Sequence, residues 1–263
     1  MIRRLKKILV LLWKAWLLLV VYGLVLLFSP LVFLVISLPF PRGFRYFSFL
    51  ERLWARLILL AGGWRIQILN PEKRPSFDRQ YIVVANHESM LDIPVLLRII
   101  PKPLTFIGKA ELARYPVFGY LYKRTNILVD RHSPESRRKV YDETERYIKA
   151  GINIGIFPEG GVFEDDQILH PFKAGAFKMA IEHGLPILPV VFYDNREHLS
   201  YAWTEGKPGR LRVKFLPVID GAQWKPEQWE ELRDLVYNLM YNELAQQKLI
   251  DGGLMAPEDK WEP

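Results

Sequence analysis

The chain has 263 residues, half of them hydrophobic, which is enough to bury the core of one large domain, or of one domain with a membrane anchor; two independent domains are not expected. It contains no cysteine, which excludes a disulfide framework, a thiolate metal site and a cysteine nucleophile. The formal charge of +7 suits an acidic partner, but we find no basic helix, zinc module or RNP-like strand that would indicate nucleic-acid binding.

A strongly apolar segment opens the chain. Basic residues cluster at positions 3, 4, 6 and 7, and residues 15–41 carry no charged side chain. A helix needs roughly 20 apolar residues to cross a hydrocarbon core of about 30 Å, whereas the apolar region of a cleaved signal peptide has only about 7 to 15 residues. We therefore predict a membrane-embedded helical segment at the amino terminus.

The path of this segment through the membrane has two solutions. Pro30, Pro39 and Pro41 interrupt the apolar pattern, which indicates either one span followed by an interfacial turn or two shorter helices that enter and leave by the same face. The positive-inside rule places the basic amino terminus in the cytoplasm, and the re-entrant pair would keep the rest of the chain there as well. Residues 44–61 suit either an interfacial helix or an amphipathic helix packed on its own domain.

The remainder alternates between strand and helix patterns. Seven apolar runs bounded by turn residues predict strands, at residues 64–69, 81–85, 104–108, 126–130, 152–157, 186–192 and 210–216. Capping signals and helical spacing predict helices at residues 133–150, 173–183 and 226–249. We therefore expect an α/β fold: a mixed, largely parallel sheet of about seven strands flanked by helices, with a site at the carboxyl ends of strands. The domains would be a membrane-associated helical anchor, residues 1–61, and a catalytic α/β domain, residues 62–263.

A histidine and an aspartate follow the second predicted strand, in the sequence NHESMLDIP. His87 lies in the connecting loop and Asp92 at the start of the next helix, five positions later. A carboxylate that holds one imidazole nitrogen fixes the tautomer, and the other nitrogen can then take a proton from an alcohol. The alternative is an aspartate that caps the helix beside an ordinary loop histidine.

The sequence FPEGG at residues 157–161 follows another strand. Pro158, Gly160 and Gly161 predict a tight loop whose N–H groups could face an anion, and Glu159 could accept hydrogen bonds from a polyol. The simpler interpretation is a plain turn with a glutamate that faces solvent.

Cations follow three of the predicted elements. Lys109 and Arg131 come after successive strands, where two positive charges suit a phosphate ester. Lys173 opens a predicted helix, whose amino terminus also favours anions. Each of these residues taken singly is typical of a solvated surface charge.

Four stretches, in their order and spacing, resemble the blocks of the glycerolipid acyltransferase family, which makes phosphatidic acid from lysophosphatidic acid. NHESMLDIP is similar to the first block, GYLYKRTNILVDR to the second, FPEGG to the third and LPILPVVF to the fourth. The resemblance covers roughly residues 60–220. It implies an α/β acyltransferase domain on the cytoplasmic side of the inner or plasma membrane, often preceded by two helices that dip into one leaflet.

The resemblance also implies roles for individual residues. His87 would be the general base with Asp92 as its partner, and Arg131 would bind the acceptor phosphate with Lys109 in support. Glu159 and Gly160 match the acceptor-binding part of the third block.

Two positions depart from the family pattern. Gly161 and Val162 stand where the third block usually has threonine and arginine, and Thr125 replaces a common glycine of the second block. Lys173 is our candidate to replace the missing arginine.

The expected activity is transfer of a fatty acyl group from acyl carrier protein or acyl-CoA to the sn-2 hydroxyl of 1-acylglycerol-3-phosphate, without a cofactor. Another acceptor is the first alternative: glycerol-3-phosphate, a lyso-aminolipid or a lipid A precursor. A non-catalytic lipid-binding membrane protein is the second, and the presence of both His87 and Asp92 argues against it. We expect no metal site, because the remaining histidines lack partners at metal-ligand spacing.

Overall fold

The computed structural model describes residues 2–115, 118–130 and 134–255. Within these ranges the strands are β1 Trp64–Ile68, β2 Ile82–Ala85, β3 Leu104–Lys109, β4 Ile127–Val129, β5 Asn153–Ile156, β6 Pro186–Phe192, β7 Gly209–Phe215 and β8 Ile219–Asp220. The helices are α1 Ile2–Ile36, α2 Arg42–Ala61, α3 Asp92–Ile99, α4 Phe118–Thr125, α5 Pro134–Lys149, α6 Gly175–Glu182, α7 Asn195–His198 and α8 Trp229–Asp251. Short 3₁₀ turns occupy Pro71–Lys73, Ala110–Arg114, Gly221–Gln223 and Pro226–Gln228.

The strands form one mixed sheet. Their order is β1-β7-β6-β2-β5-β3-β4, and β8 pairs with β6. Strands β2 and β6 are parallel, as are β3 and β4, whereas β7 and β8 each run antiparallel to β6. The prediction of an α/β fold with a largely parallel sheet is confirmed, and all seven predicted strands are present. The additional strand, β8, has only two residues, too few to show an alternating pattern.

The chain divides into two compact units that are each built from several segments. The first comprises Met1–Ile66, Ser89–Ile154 and Asp194–Leu211, and the second comprises Gln67–Glu88, Gly155–Tyr193 and Arg212–Pro263. The division between an anchor and a catalytic domain near residue 61 stays a prediction.

Helix α1 of the first unit continues without a break through Pro30. The expectation that this proline interrupts the pattern is wrong, and a neighbouring side chain supplies the reason. Proline lacks the N–H that would bond the carbonyl of Leu26, four residues earlier, and the Ser29 hydroxyl donates to that carbonyl oxygen at 2.9 Å instead. The chain leaves the helix only at residues 37–41, ahead of α2.

The apolar side chains of α1 are largely exposed. Among the described helices it is the one long and apolar enough to cross a membrane, with a mean hydropathy of 2.8 over its most apolar stretch, of which 11% is buried. Its amino-terminal half is nevertheless attached to the first unit, because the buried ammonium group of Lys14 donates to the carbonyl oxygens of Ser200 and Ala202, both at 2.7 Å. Trp13 adds an edge-to-face contact with Trp64.

Helix α2 packs on its own unit. It buries Phe44, Phe47, Leu50, Ile58 and Leu59 on one face and lies against α1 and α3. The interpretation of residues 44–61 as an amphipathic helix packed on its own domain therefore applies to the inner face of α2. The outer face exposes three aromatic and aliphatic side chains, those of Tyr46, Phe49 and Leu60.

The second unit has its core around β2 and β6, which are buried along their whole length. Helices α6 and α8 cover this core with apolar side chains, including Phe177, Val236 and Met240. Asn70 helps to fix β7, because its side-chain amide donates to the carbonyl of Phe215 at 2.7 Å and its oxygen accepts the N–H of Phe215 at 3.1 Å.

Candidate active site

The loop that follows β2 begins with a buried asparagine. The Asn86 side chain continues the pairing of β2 with β6, because its amide nitrogen donates to the carbonyl of Phe192 at 3.0 Å and its oxygen accepts the N–H of Phe192 at 2.9 Å. A carboxamide has one acceptor and one donor side, like a peptide group, and so replaces the missing backbone partner. Asn86 therefore fixes where the next residue emerges. Sequence reasoning did not assign this role, although an asparagine directly after four buried strand residues is the available signal.

His87 lies in the loop, as predicted, with its side chain half-buried. Its ring stacks on the ring of Phe157, with centroids 4.0 Å apart and planes inclined by 15°. Its backbone N–H donates to the carboxylate of Glu159 at 2.7 Å. The imidazole is thus held on an aromatic surface from the loop after β5 and is not turned into the core.

Glu159 is buried and engages two loops at once. One carboxylate oxygen accepts the N–H of His87 at 2.7 Å, and the other accepts the N–H of His170 at 2.9 Å. Burial raises the pKa of the Glu159 carboxyl, and the two backbone hydrogen bonds oppose that increase by stabilising the charged form. The simpler interpretation of a glutamate that faces solvent is wrong. Acceptor binding by this side chain stays a prediction, but its observed contacts are with the backbone.

The turn of residues 157–161 depends on glycine. Gly160 has φ +83° and donates its N–H to the carbonyl of Phe157 at 3.0 Å, so this N–H closes the turn and does not face an anion. The Lys173 side chain lies across the turn so closely that a Cβ on Gly160 would come within 2.4 Å of its Nζ. Gly161 has space for a side chain, since its nearest neighbour is the Phe163 ring at 3.9 Å.

Lys173 precedes its helix and does not open it. Helix α6 begins at Gly175, two residues later than predicted, and the N–H of Lys173 donates to the carbonyl of Pro158 at 2.9 Å. This bond ties the residue to the third block, with its side chain exposed. Lys173 therefore lies beside the glycine turn because of its backbone bond to Pro158, and not because it begins a helix.

His170 was not assigned to the site from the sequence. Its Nε2 lies 2.9 Å from a carboxylate oxygen of Asp165, and its ring stacks on Phe163 with centroids 3.9 Å apart. These contacts order residues 163–170, and the bond to Glu159 connects this segment to the His87 loop. The pairing of two residues five positions apart in a loop has no periodic signature in the sequence.

Asp92 is the first residue of α3, as predicted, and its side chain is fully buried. One carboxylate oxygen accepts the N–H of Ser89 at 2.9 Å and the other accepts the side-chain amide of Asn195 at 2.8 Å. The bond to Ser89 is a local contact with the loop before α3, whereas the bond to Asn195 comes from α7, far along the chain. The two hydrogen bonds fix the position of the carboxylate.

The predicted phosphate cations are only partly described. Lys109 is the last residue of β3, where its exposed side chain lies in register with Val129 of the parallel strand β4. The structure therefore places Lys109 at the carboxyl end of a strand, as predicted. Arg131 lies outside the described residues.

Comparison with known proteins identifies the type of domain. The family model described as Acyltransferase matches residues 65–193, a range that contains the His87 loop, the glycine turn and β6. The 1-acyl-sn-glycerol-3-phosphate acyltransferase of Escherichia coli (strain K12) is 29% identical over 208 residues, which cover 78% of this chain and 83% of the relative. The enzyme of the same name from Cocos nucifera is 31% identical over 180 residues, covering 65% of this chain and 57% of the relative.

A solved structure shares the fold. The crystal structure of the 1-acyl-sn-glycerophosphate (LPA) acyltransferase PlsC from Thermotoga maritima superposes with a TM-score of 0.71 at 22% sequence identity, covering 99% of this chain and 100% of that chain.

Proposed function

Because this chain belongs to the glycerolipid acyltransferase family, we propose that it transfers a fatty acyl group from a thioester to the sn-2 hydroxyl of 1-acylglycerol-3-phosphate, forming phosphatidic acid. The observation that carries the proposal is the support of His87: a half-buried imidazole on the Phe157 ring, with its backbone held by the buried Glu159 carboxylate. A base fixed in this way is prepared for proton transfer before the substrate arrives.

In the proposed reaction, an imidazole nitrogen of His87 takes the proton of the acceptor hydroxyl as its oxygen attacks the thioester carbonyl. The new C–O bond forms a tetrahedral intermediate, the C–S bond then breaks, and the leaving thiolate takes the proton from the imidazolium. The acyl group thus passes directly from the thioester to the acceptor and does not bond to the enzyme.

Asp92 is proposed as the partner that orients the His87 imidazole and stabilises its protonated form. Three features support this role: the spacing of five positions in the chain, the full burial of the carboxylate, and its hydrogen bonds to Ser89 and Asn195, which fix its position.

The acceptor phosphate is proposed to contact three cations. Lys173 lies over the glycine turn, beside the place where the family pattern usually has its third-block arginine. Lys109 at the end of β3 and Arg131 after β4 would supply further charge. Glu159, Gly160 and Gly161 would shape this part of the site.

Membrane attachment is proposed to come from α1, whose exposed apolar surface fits a bilayer. The basic amino terminus favours the cytoplasmic face of the inner or plasma membrane. A lysolipid would then enter from the bilayer, and the acyl donor, acyl carrier protein or acyl-CoA, would arrive from water.

The test is an assay of the purified full chain in detergent with lysophosphatidate and either acyl donor. His87→Ala should lose nearly all turnover and keep its unfolding temperature, because general bases contribute about 10²- to 10⁴-fold. His183→Ala at the end of α6 is the matched control and should retain full activity. Undiminished turnover by His87→Ala would refute the mechanism.

A different acceptor remains the second candidate, because Gly161 and Val162 replace the usual threonine and arginine. A panel of lysophosphatidate, glycerol-3-phosphate, a lyso-aminolipid and a lipid A precursor, at matched concentrations with products identified by mass, separates the two. Preference for an acceptor without a phosphate would contradict the proposed roles of Lys173 and Arg131.

A further inference from the structure

The first unit contains a cavity of about 300 Å³ that the proposed acyl transfer does not use. It lies where the connection between α1 and α2 meets the end of α4 and one face of α5. Among its lining residues are Leu38, Phe40, Phe44, Lys123, Arg124 and Arg146. We call this cavity the α1–α2 pocket.

Positive charge dominates the lining. Among the described residues, it contains three cations, Lys123, Arg124 and Arg146, and one carboxylate, that of Glu143, which leaves an excess of two positive charges. None of the three cations forms an ion pair within the described part of the chain. A group of cations around a concave surface fits an anion, and guanidinium groups in particular suit a phosphate.

Aromatic rings hold the two guanidinium groups in place. Arg146 lies 4.0 Å from the centroid of the Phe40 ring, and Arg124 lies 4.7 Å from that of Tyr120. Cation–π contacts restrict a guanidinium without neutralising it. The pocket thus presents positioned charges even though the side chains of Arg124 and Arg146 are largely exposed.

The pocket and the proposed phosphate cation Lys109 lie toward opposite ends of the paired strands β3 and β4. It includes Thr125 and Asn126, which precede β4, whereas Lys109 is the last residue of the parallel strand β3 and pairs with Val129. From Asn126 to Val129 a strand advances by about 10 Å. A ligand in the α1–α2 pocket is therefore separate from a phosphate bound at Lys109.

Apolar surface borders the pocket on one side. Ile36, the last residue of α1, and Leu38 line the pocket. In the preceding turn of the helix, the exposed fractions of Leu31 and Leu34 are 45% and 64%. The Phe33 ring contacts Tyr120 of α4 at a centroid distance of 5.3 Å. The cations match the charged headgroup of a phospholipid, and the apolar end of α1 beside them matches its hydrocarbon chains.

We propose that the α1–α2 pocket binds the phosphate headgroup of an anionic bilayer phospholipid. Arg124 and Arg146 contact the phosphate with Lys123 in support, and the first carbons of the acyl chains lie against Leu34 and Leu38. The proposal depends on α1 entering a bilayer and is independent of which acceptor is acylated.

The test counts lipids retained by the full chain in native mass spectrometry after delipidation in detergent. The probes are phosphatidylglycerol and phosphatidylcholine with identical acyl chains. The wild-type chain should retain phosphatidylglycerol at a site that discriminates against phosphatidylcholine. The double variant Arg124→Gln/Arg146→Gln should bind phosphatidylglycerol roughly 25-fold more weakly, from about fivefold for each cation lost near an anionic lipid.

The double variant Arg65→Gln/Lys102→Gln removes the same charge from exposed positions outside the pocket and should bind like the wild type. The exposed single variant Lys123→Gln, with an expected loss of about fivefold, keeps the test valid if the arginine variant does not fold. Equal retention of phosphatidylglycerol by the wild type and the pocket variants overturns the proposal, as does equal retention of both lipids by the wild type.

A third arm separates a lipid from a free anion. Inorganic phosphate at millimolar concentration replaces the lipid, and the unfolding temperature is measured for the wild type and for Arg124→Gln/Arg146→Gln. Stabilisation by phosphatidylglycerol alone, absent from the variant, supports a headgroup site. Equal stabilisation of the wild type by inorganic phosphate shows that the pocket takes the free anion and overturns the lipid proposal.

Discussion

The carboxylate of Glu159 accepts the backbone N–H of His87 at 2.7 Å and also the N–H of His170 at 2.9 Å. A residue of the third block thus determines the position of the proposed base in the first. A glutamate can hold both loops even if it never touches the substrate, because each of its two carboxylate oxygens accepts one of the N–H groups.

Replacing Glu159 by glutamine tests this support. The amide has one oxygen, so its NH₂ group must face one of the two N–H donors, and the variant should lose about 1–3 kcal/mol of unfolding free energy. Because the His87 loop loses a contact, kcat should fall by about tenfold or more with a smaller change in KM. Denaturant unfolding and steady-state kinetics measure the two effects. Glu182→Gln, at the exposed end of α6, should change neither.

The pH dependence of stability provides a separate check on Glu159. Since burial raises its folded-state pKa above that of the unfolded chain, the folded protein binds the proton more tightly. This group therefore favours folding most below the unfolded pKa, and that contribution declines as pH rises through the folded pKa. The unfolding free energy of the wild type, relative to that of Glu159→Gln, should fall as the pH rises from 4 to 7 in urea titrations. A shift in the opposite direction would contradict the assignment.

Alanine at Gly160 should disturb the turn and the cation above it. A residue with a Cβ pays about 1–2 kcal/mol at φ +83°, and the new methyl group would displace the Lys173 side chain. We expect lower stability together with a higher KM for lysophosphatidate. Gly151→Ala is the control, because Gly151 has a similar φ of +72° but an added Cβ would have nothing within 4 Å. It should lose similar stability and keep its KM, and an equal rise of KM in both variants would show that displacement of Lys173 is not responsible.

Asn86 and Asn70 form a matched pair, because each binds both polar groups of one peptide residue, Phe192 and Phe215 respectively. Aspartate at either position loses the amide donor and puts a carboxylate next to a carbonyl oxygen, which should cost about 1–3 kcal/mol. Only Asn86 precedes His87, so Asn86→Asp should also reduce kcat under conditions where both variants are folded. Thermal unfolding and kinetics decide, and an equal loss of kcat in Asn70→Asp would refute a local effect.

Lys173→Gln should weaken binding of the acceptor and leave the chemical step nearly intact. Loss of one phosphate contact of roughly 1.5–3 kcal/mol raises KM by about 10- to 150-fold. The wild-type KM should also rise with salt more steeply than that of the variant, since one ion pair is missing. Lys102→Gln, an exposed lysine outside the site, serves as the control. A variant with unchanged KM for lysophosphatidate would remove Lys173 from the phosphate site.

The sequence alone determined the elements and the chemistry of this protein. Short apolar runs predicted β1 to β7, and the blocks around His87 and Glu159 indicated acyl transfer, because periodicity, caps and motif spacing are local properties of the chain. Only the folded structure showed that Glu159 faces inward, that Lys173 lies over Gly160, and that the Ser29 hydroxyl bonds the Leu26 carbonyl where α1 continues through Pro30. The first depends on the loops after β2 and β5, and no local pattern encodes which distant N–H a buried carboxylate will meet. The second depends on how the connection between β5 and α6 folds back on itself. The third is local, but a hydroxyl that replaces a missing backbone donor is visible only once the helix is built.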